Sequence, residues 1–174
     1  AKMPLLQERQ QTAPAHGDMP MRPRAQRVLL VIDSASAAET IGKWIEGSRE
    51  SLVGAEVVLL AALPKPELIR TRALFADMVR RHLRGTGGSR LVPLQVMLDS
   101  AGIASEDIVV LSDDAASIVA TAGQRGCDQI VITAAPECWL RKKLLSHTGI
   151  GASLAAQVAD LADCPVLIIK HGWQ

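Results

Sequence analysis

Five short apolar stretches, none interrupted by polar residues, recur along the chain after residue 26. They are rich in valine and isoleucine and occupy residues 28–32, 57–62, 108–111, 130–132 and 166–169. Strands that are buried on both faces have this character, as in a parallel sheet covered by helices. The pattern therefore predicts an α/β fold with a five-stranded parallel sheet sandwiched by helices.

Amphipathic helices are predicted in the segments between these strands, where apolar residues recur at three- and four-residue spacing. Ser36 and Glu39 have the spacing of a capping box and predict the start of the first helix. Ser112, Asp113 and Asp114 predict an amino-terminal cap for a helix over residues 115–124, and Gly126 lies just past its carboxyl end. Alternating strands and helices are typical of an open α/β sheet.

The longest connection, residues 63–107, has the pattern of two helices rather than one. The first is predicted over residues 67–83 and the second over residues 93–100. Three glycines within residues 85–88 predict a break between them, because glycine is a poor helix former. A last apolar stripe, residues 154–162, predicts the helix that precedes the final strand.

The domain organisation predicted from composition is one domain with a short extension at each end. Residues 1–26 are rich in proline and lack periodicity, which predicts a mobile or disordered arm. The domain is predicted over residues 27–170, and residues 171–174 form a tail. The chain has no apolar run long enough to span a bilayer and no signal-peptide pattern.

The net charge and the cysteine content limit the classes of partner and the cellular compartment that we expect for this protein. Lys and Arg total 19 against 18 Asp and Glu, a net charge of +1, so we expect no DNA partner. The three cysteines, at positions 127, 138 and 164, lack metal-ligand spacing, and no metal site is predicted. An odd number of cysteines without a secretory signal favours a cytoplasmic location.

Four segments, in order along the chain, resemble the universal stress protein family. They are RVLLVIDS at 27–34, DDAASI at 113–118, GCDQIVI at 126–132 and CPVLII at 164–169. The resemblance implies an adenine nucleotide alpha hydrolase-like sheet with strand order 3-2-1-4-5. It also implies that Asp33 and Thr133 lie on either side of the point where strand order reverses, which is where open α/β sheets bind ligands.

The glycine motif that the nucleotide-binding branch of this family carries after strand 4 is only partly present here. Thr133 and Pro136 stand at its first two glycine positions, whereas Ser153 matches its final serine. Gly149 and Gly151 lead into a helix, where backbone N–H groups can cradle an anion. The alternative is that these glycines only permit a turn.

The candidate nucleotide site implied by the resemblance combines residues after strands 1 and 4. Its members are Asp33, Ser34, Thr133, Gly149, Gly151 and Ser153, with Arg141 and Lys142 as candidate anion contacts. The ligand would be ATP or AMP, and the alternative is that no nucleotide binds. For Asp33 the alternative is that it caps the following turn.

The function that these features favour is that of a non-catalytic stress-response or regulatory protein acting through dimerisation and partner binding. No Walker A sequence or nucleophile-elbow motif is present. One alternative is an adenine-nucleotide sensor with at most slow ATP hydrolysis. Another is a regulatory accessory of a transporter or membrane complex.

Two surfaces are predicted to meet partners. The last strand, from Val166 to Ile169, would lie at an open sheet edge, and the resemblance implies a homodimer formed through it. The second surface is a helix with arginines on one side, which would dock an unidentified protein; the alternative is an ordinary solvated face. Those arginines are Arg70, Arg80, Arg81 and Arg84.

Overall fold

The protein is represented by a computed structural model that describes residues 24–64, 73–134 and 153–171, with side chains from residue 77 onward in the third helix. The strands are β1 Arg27–Ile32, β2 Glu56–Ala62, β3 Ala104–Val110, β4 Gln129–Ala134 and β5 Val166–Lys170. The helices are α1 Ala35–Gly47, α2 Arg49–Leu52, α3 Ala73–Ser100, α4 Ala115–Arg125 and α5 Leu154–Leu161. The predictions of a mobile arm and a tail concern residues that lie almost entirely outside these ranges.

The five strands form one parallel sheet in the order β3-β2-β1-β4-β5, which confirms the predicted fold and strand order. β1 lies at the centre, where Leu30 pairs with Leu59 of β2 and Leu29 pairs with Ile130 of β4. Strand order reverses at β1, and in open α/β sheets the carboxyl ends of the strands at such a point are where ligands bind. None of the helices within the described ranges is long and apolar enough to cross a membrane.

Burial on both faces explains the unbroken apolar stretches. Leu30 and Ile32 of β1 are fully buried on the face that α1 and α3 cover. Leu29 and Val31 are fully buried on the opposite face, beneath α4 and α5. Consecutive side chains of a strand point to opposite faces, so a strand covered on both sides has no polar position.

The prediction of two helices between β2 and β3 is wrong. α3 is a single helix that continues through the glycines and through Pro93. A Cβ atom on Gly87 would lie 2.8 Å from Val109 and 3.0 Å from Leu63, so glycine lets the helix approach the sheet closely. The helix beyond this point is fixed by the buried Leu91, and this packing overrides the low helix propensity of the glycines.

The caps of α4 agree with the prediction. The Asp114 carboxylate accepts a hydrogen bond of 2.6 Å from the Ser117 N–H, which satisfies one of the free donors at the start of the helix. Gly126 has a φ of 61°, the left-handed conformation that ends many helices and that glycine adopts without strain.

Candidate functional site

The carboxyl end of β1 leads directly into the first polar residues of the candidate site. Asp33 and Ser34 follow Ile32 and are both half-buried, between the central strand and the start of α1. Because β1 lies between β2 and β4, these residues occupy the point where strand order reverses. The structure therefore places Asp33 and Ser34 where the resemblance implied.

The Ser34 hydroxyl is the amino-terminal cap of α1. It accepts a hydrogen bond of 3.1 Å from the Ala37 N–H and lies 3.1 Å from the Ser36 hydroxyl. The predicted capping box of Ser36 and Glu39 is therefore wrong, because the helix begins two residues earlier and Glu39 instead pairs with Lys43. The Ser34 hydroxyl stabilises the start of α1, so a bound ligand must leave its hydrogen bond with Ala37 in place.

The Asp33 carboxylate interacts with the Ser34 hydroxyl rather than with the backbone of the following turn. The Ser34 hydroxyl lies 3.3 Å from Oδ1 of Asp33 and donates to it. The cap function considered as the alternative for Asp33 thus belongs to Ser34. The nearby amino end of α1 favours a negative charge at this position, since the helix dipole is positive there.

Thr133 is a buried polar residue near the carboxyl end of β4. Only 4% of its surface is exposed, and its backbone lies in the parallel ladder with β5, where it pairs with Ile169. The strand extends through Thr133 and Ala134, beyond the predicted end at residue 132. Thr133 is two residues from Val131 and so points to the same sheet face, which α1 and α3 cover.

Ser153 lies at the amino end of α5 and caps it. Its hydroxyl oxygen accepts a hydrogen bond of 3.2 Å from the Ala156 N–H. A serine hydroxyl has one proton and two lone pairs, so this bond leaves the proton available for donation. The other residues predicted for the phosphate end of the site lie outside the described ranges, namely Gly149, Gly151, Arg141 and Lys142.

A contact between α1 and the end of β5 was not predicted. The Thr40 hydroxyl lies 3.0 Å from Nδ1 of His171, and both residues are half-buried. They are 131 positions apart in the sequence, so no local pattern relates them. The contact joins the end of the edge strand β5 to α1, the helix that follows Asp33 and Ser34.

The described part of this edge carries carboxylate and hydroxyl groups. No group of His, Cys, Asp and Glu residues in the described ranges could hold a metal ion. Burial raises the pKa of the Cys127 thiol and of the Cys164 thiol, so neither favours the reactive thiolate. Both cysteines pack against the buried cluster under α4 and α5, as small apolar residues do.

Comparison with solved structures gives a consistent set of similar folds. A universal stress protein from Archaeoglobus fulgidus is 22% identical, with a TM-score of 0.53 over 83% of this chain and 93% of that chain. A universal stress protein family protein from Arabidopsis thaliana with AMP bound is 19% identical, with a TM-score of 0.54 over 83% and 91%. A universal stress protein in complex with cAMP is 17% identical, with a TM-score of 0.56 over 84% and 97%.

The curated proteins offer no match to this chain. The model of the universal stress protein family matches residues 24–170, which include all five strands and the residues that follow β1. The strand order and the four resembling segments agree with that match. This chain belongs to the universal stress protein family.

Proposed function

We propose that this protein is a non-catalytic regulator of the stress response that acts as a homodimer paired through β5. The observation that carries the proposal is an open apolar sheet edge. Leu167 is 38% exposed and Ile168 is 39% exposed, although both belong to an apolar strand at the end of the sheet. Successive residues face opposite sides of the sheet, so both faces of this edge are incompletely covered.

The other edge of the sheet is built differently. On β3, Glu106 and Asp107 are exposed, and charged side chains on an edge strand oppose pairing with a second sheet. β5 carries no charge before Lys170. A second copy of the chain would therefore pair at β5, where the exposed apolar residues and free backbone groups would both be satisfied.

The hydroxyl groups at the carboxyl edge of the sheet cap helices, and this role supports the proposal that the protein is not a catalyst. Ser34 and Ser153 each accept a hydrogen bond from the first turn of a helix that they cap. A nucleophilic serine needs a neighbouring base to remove its proton. Ser34 does donate to a carboxylate, that of Asp33, but the distance of 3.3 Å makes this a long and weak bond, and the same hydroxyl supports α1.

Sedimentation velocity with a charged edge variant tests the dimer. Ile168→Lys places a charge on the exposed edge and should convert the dimer into a monomer at tens of micromolar protein. Val53→Lys is the matched control, because Val53 is 71% exposed and precedes β2, away from β5. A parent protein that sediments as a monomer, or an Ile168→Lys variant that remains a dimer, would contradict the proposal.

We infer a second function for the same molecule, in which an adenine nucleotide binds across the carboxyl ends of β1 and β4. The half-buried carboxylate of Asp33 and the buried hydroxyl of Thr133 support it, since small-molecule sites combine a few polar groups with buried surroundings. Relatives with the same fold are described with AMP and with cAMP. Asp33 would accept a hydrogen bond from the base or ribose.

Calorimetric titration with ATP, ADP and AMP tests this second function. Asp33→Ala should weaken binding about tenfold or more, because hydrogen bonds to charged groups contribute about 1.5–3 kcal/mol. Asp163→Ala is the control, since Asp163 is an exposed carboxylate at the opposite end of the sheet, before β5. Equal losses in both variants, or no heat with the parent protein, would reject the nucleotide site and leave the dimer proposal standing.

A further inference from the structure

The first half of α3 projects beyond the sheet. Gly87 packs against Leu63, just past the end of β2, and against Val109, the penultimate residue of β3. Position 87 therefore lies level with the carboxyl edge of the sheet. α3 leads from the end of β2 to the start of β3, so it runs antiparallel to the strands. At 1.5 Å per residue, residues 73–86 extend about 20 Å past that edge.

Burial along α3 changes at the same point. After Gly87, the side chains of Leu91, Leu94 and Leu98 are almost fully buried against α1 and the sheet. Between residues 77 and 86 no side chain is buried, and Val79 and Leu83 are only half-buried. We name residues 77–86 the α3 arm, a helical segment that lacks the packing that holds the rest of the helix.

The sequence of the α3 arm gives its helical conformation little intrinsic stability. An isolated helix shorter than about 12–15 residues is marginal in water even with good helix formers. Here Gly85 lies within the arm and Gly88 follows it, and glycine is a much poorer helix former than alanine. Neither glycine has any atom within 4 Å of the position where a Cβ would lie, so neither is needed for packing. The arm would gain stability from an external partner.

The surface of the α3 arm is basic and partly apolar. Arg80, Arg81 and Arg84 are exposed, and within the described ranges only Arg80 has an ion pair, a 3.6 Å contact with Asp77. Met78 is 65% exposed among these arginines. An exposed methionine beside unpaired arginines is a composition enriched in protein–protein interfaces.

We propose that the α3 arm docks an acidic amphipathic helix of a partner protein. Glutamate or aspartate side chains of the partner pair with Arg81 and Arg84, which lie three residues apart on one side of the helix. Apolar side chains of the partner cover Met78, which lies three residues from Arg81 on the same side of the helix. The arm's own helix becomes packed on a second side, which supplies the stabilisation that it lacks.

The chemistry of the arm favours a protein over a membrane or a nucleic acid. Membrane-surface helices insert tryptophan, phenylalanine or leucine, whereas the one large apolar side chain that is exposed in the arm is Met78. The arm contains no tyrosine, phenylalanine or tryptophan to stack on bases, as single-stranded nucleic-acid sites normally do.

Fluorescence anisotropy with the full-length protein and a defined probe tests the proposal. The probe is a labelled four-heptad peptide with leucine on one helical face and glutamate elsewhere, and a peptide of the same composition with evenly distributed leucines is its control. The variants are Arg81→Glu/Arg84→Glu and Met78→Ser. Arg49→Glu reverses an exposed arginine on α2 and is the matched control. Circular dichroism verifies that each variant is folded.

The expected result is preferential binding of the amphipathic peptide. The double arginine variant should weaken binding about tenfold or more, Met78→Ser about threefold, and Arg49→Glu less than twofold. Amides of residues 77–86 should become protected from hydrogen exchange when the peptide binds. Equal binding of both peptides, equal losses in the arginine variant and the control, or tighter binding of phosphatidylserine vesicles or duplex DNA would overturn the proposal.

Discussion

Gly87→Ala should destabilise the fold, although alanine is the better helix former. In a helix interior, replacing glycine by alanine contributes about 1 kcal/mol of stability. At position 87 the added methyl group would lie 2.8 Å from Cγ1 of Val109, 3.0 Å from Cδ1 of Leu63 and 3.3 Å from Cβ of Ala61. The first distance is shorter than any normal contact between carbon atoms, so α3 or its neighbours must shift.

The neighbours of Gly87 have little freedom to move. Ala61 and Leu63 are almost fully buried, and valine is restricted at χ1. Inserting a methyl group into a packed region costs about 1–3 kcal/mol. Subtracting the gain in helix propensity, we expect Gly87→Ala to lower the free energy of unfolding by about 1 kcal/mol, within a range of about 0–2 kcal/mol.

Two other glycines of the same helix provide matched controls. Gly85 and Gly88 have no atom within 4 Å of the position where a Cβ would lie. Alanine at either position should therefore raise the free energy of unfolding by about 0.5–1 kcal/mol. Urea unfolding followed by circular dichroism measures all three variants. If Gly87→Ala stabilises the protein as much as Gly88→Ala, the close approach between α3 and the sheet is wrong.

Three further predictions concern individual side chains. Ser34→Ala removes the cap of α1 and should cost about 1 kcal/mol in urea unfolding; an unchanged midpoint would contradict the cap. Partial burial and the charge of Asp99 raise the pKa of Asp107, so its ionised form weakens the fold. Asp107→Asn should therefore raise the free energy of unfolding at pH 7. The gain should disappear below about pH 3, where Asp107 is protonated and neither protein carries a charge at this position; equal gains at both pH values would refute this. Because burial raises the pKa of Cys127, alkylation by iodoacetamide at pH 8, followed by mass spectrometry, should be slower than in urea; equal rates would count against burial.

The sequence predicted most reliably the strands that are buried on both faces. β1, β2 and β4 are almost continuously apolar because helices cover both sides of the sheet. The start of β3 was missed by four residues, since the strand begins at Ala104 rather than at residue 108. Its first residues include the exposed Glu106 and Asp107 of an edge strand, which no search for apolar runs can detect.

The errors in the helices have a different cause, which is contact between distant residues. Gly87 breaks no helix because the space that its missing side chain leaves is filled by Val109, 22 positions further along the chain. The Thr40–His171 contact likewise joins residues from opposite ends of the domain. Local propensity is a weak prior that tertiary packing overrides at such positions.

The candidate site was predictable in position but only partly in chemistry. The carboxyl end of a central parallel strand is the place where open α/β sheets bind ligands, so Asp33 and Thr133 could be selected once the family resemblance had implied the strand order. Which hydroxyl is committed to a cap depends on where each helix begins. A difference of two residues at the start of α1 gave the cap to Ser34 rather than Ser36.

The two edge strands of the sheet, β3 and β5, both present unpaired backbone groups, but their side chains differ in whether they oppose pairing with another strand. β3 carries exposed acidic residues, and Gln95 of α3 donates a hydrogen bond to Asp107 across that edge. β5 carries exposed Leu167 and Ile168 and no such protection within the described ranges. An unprotected apolar edge is an aggregation hazard unless a specific partner covers it. The asymmetry therefore supports the proposed pairing at β5, and a protein with Ile168→Lys should be both monomeric and less prone to aggregate.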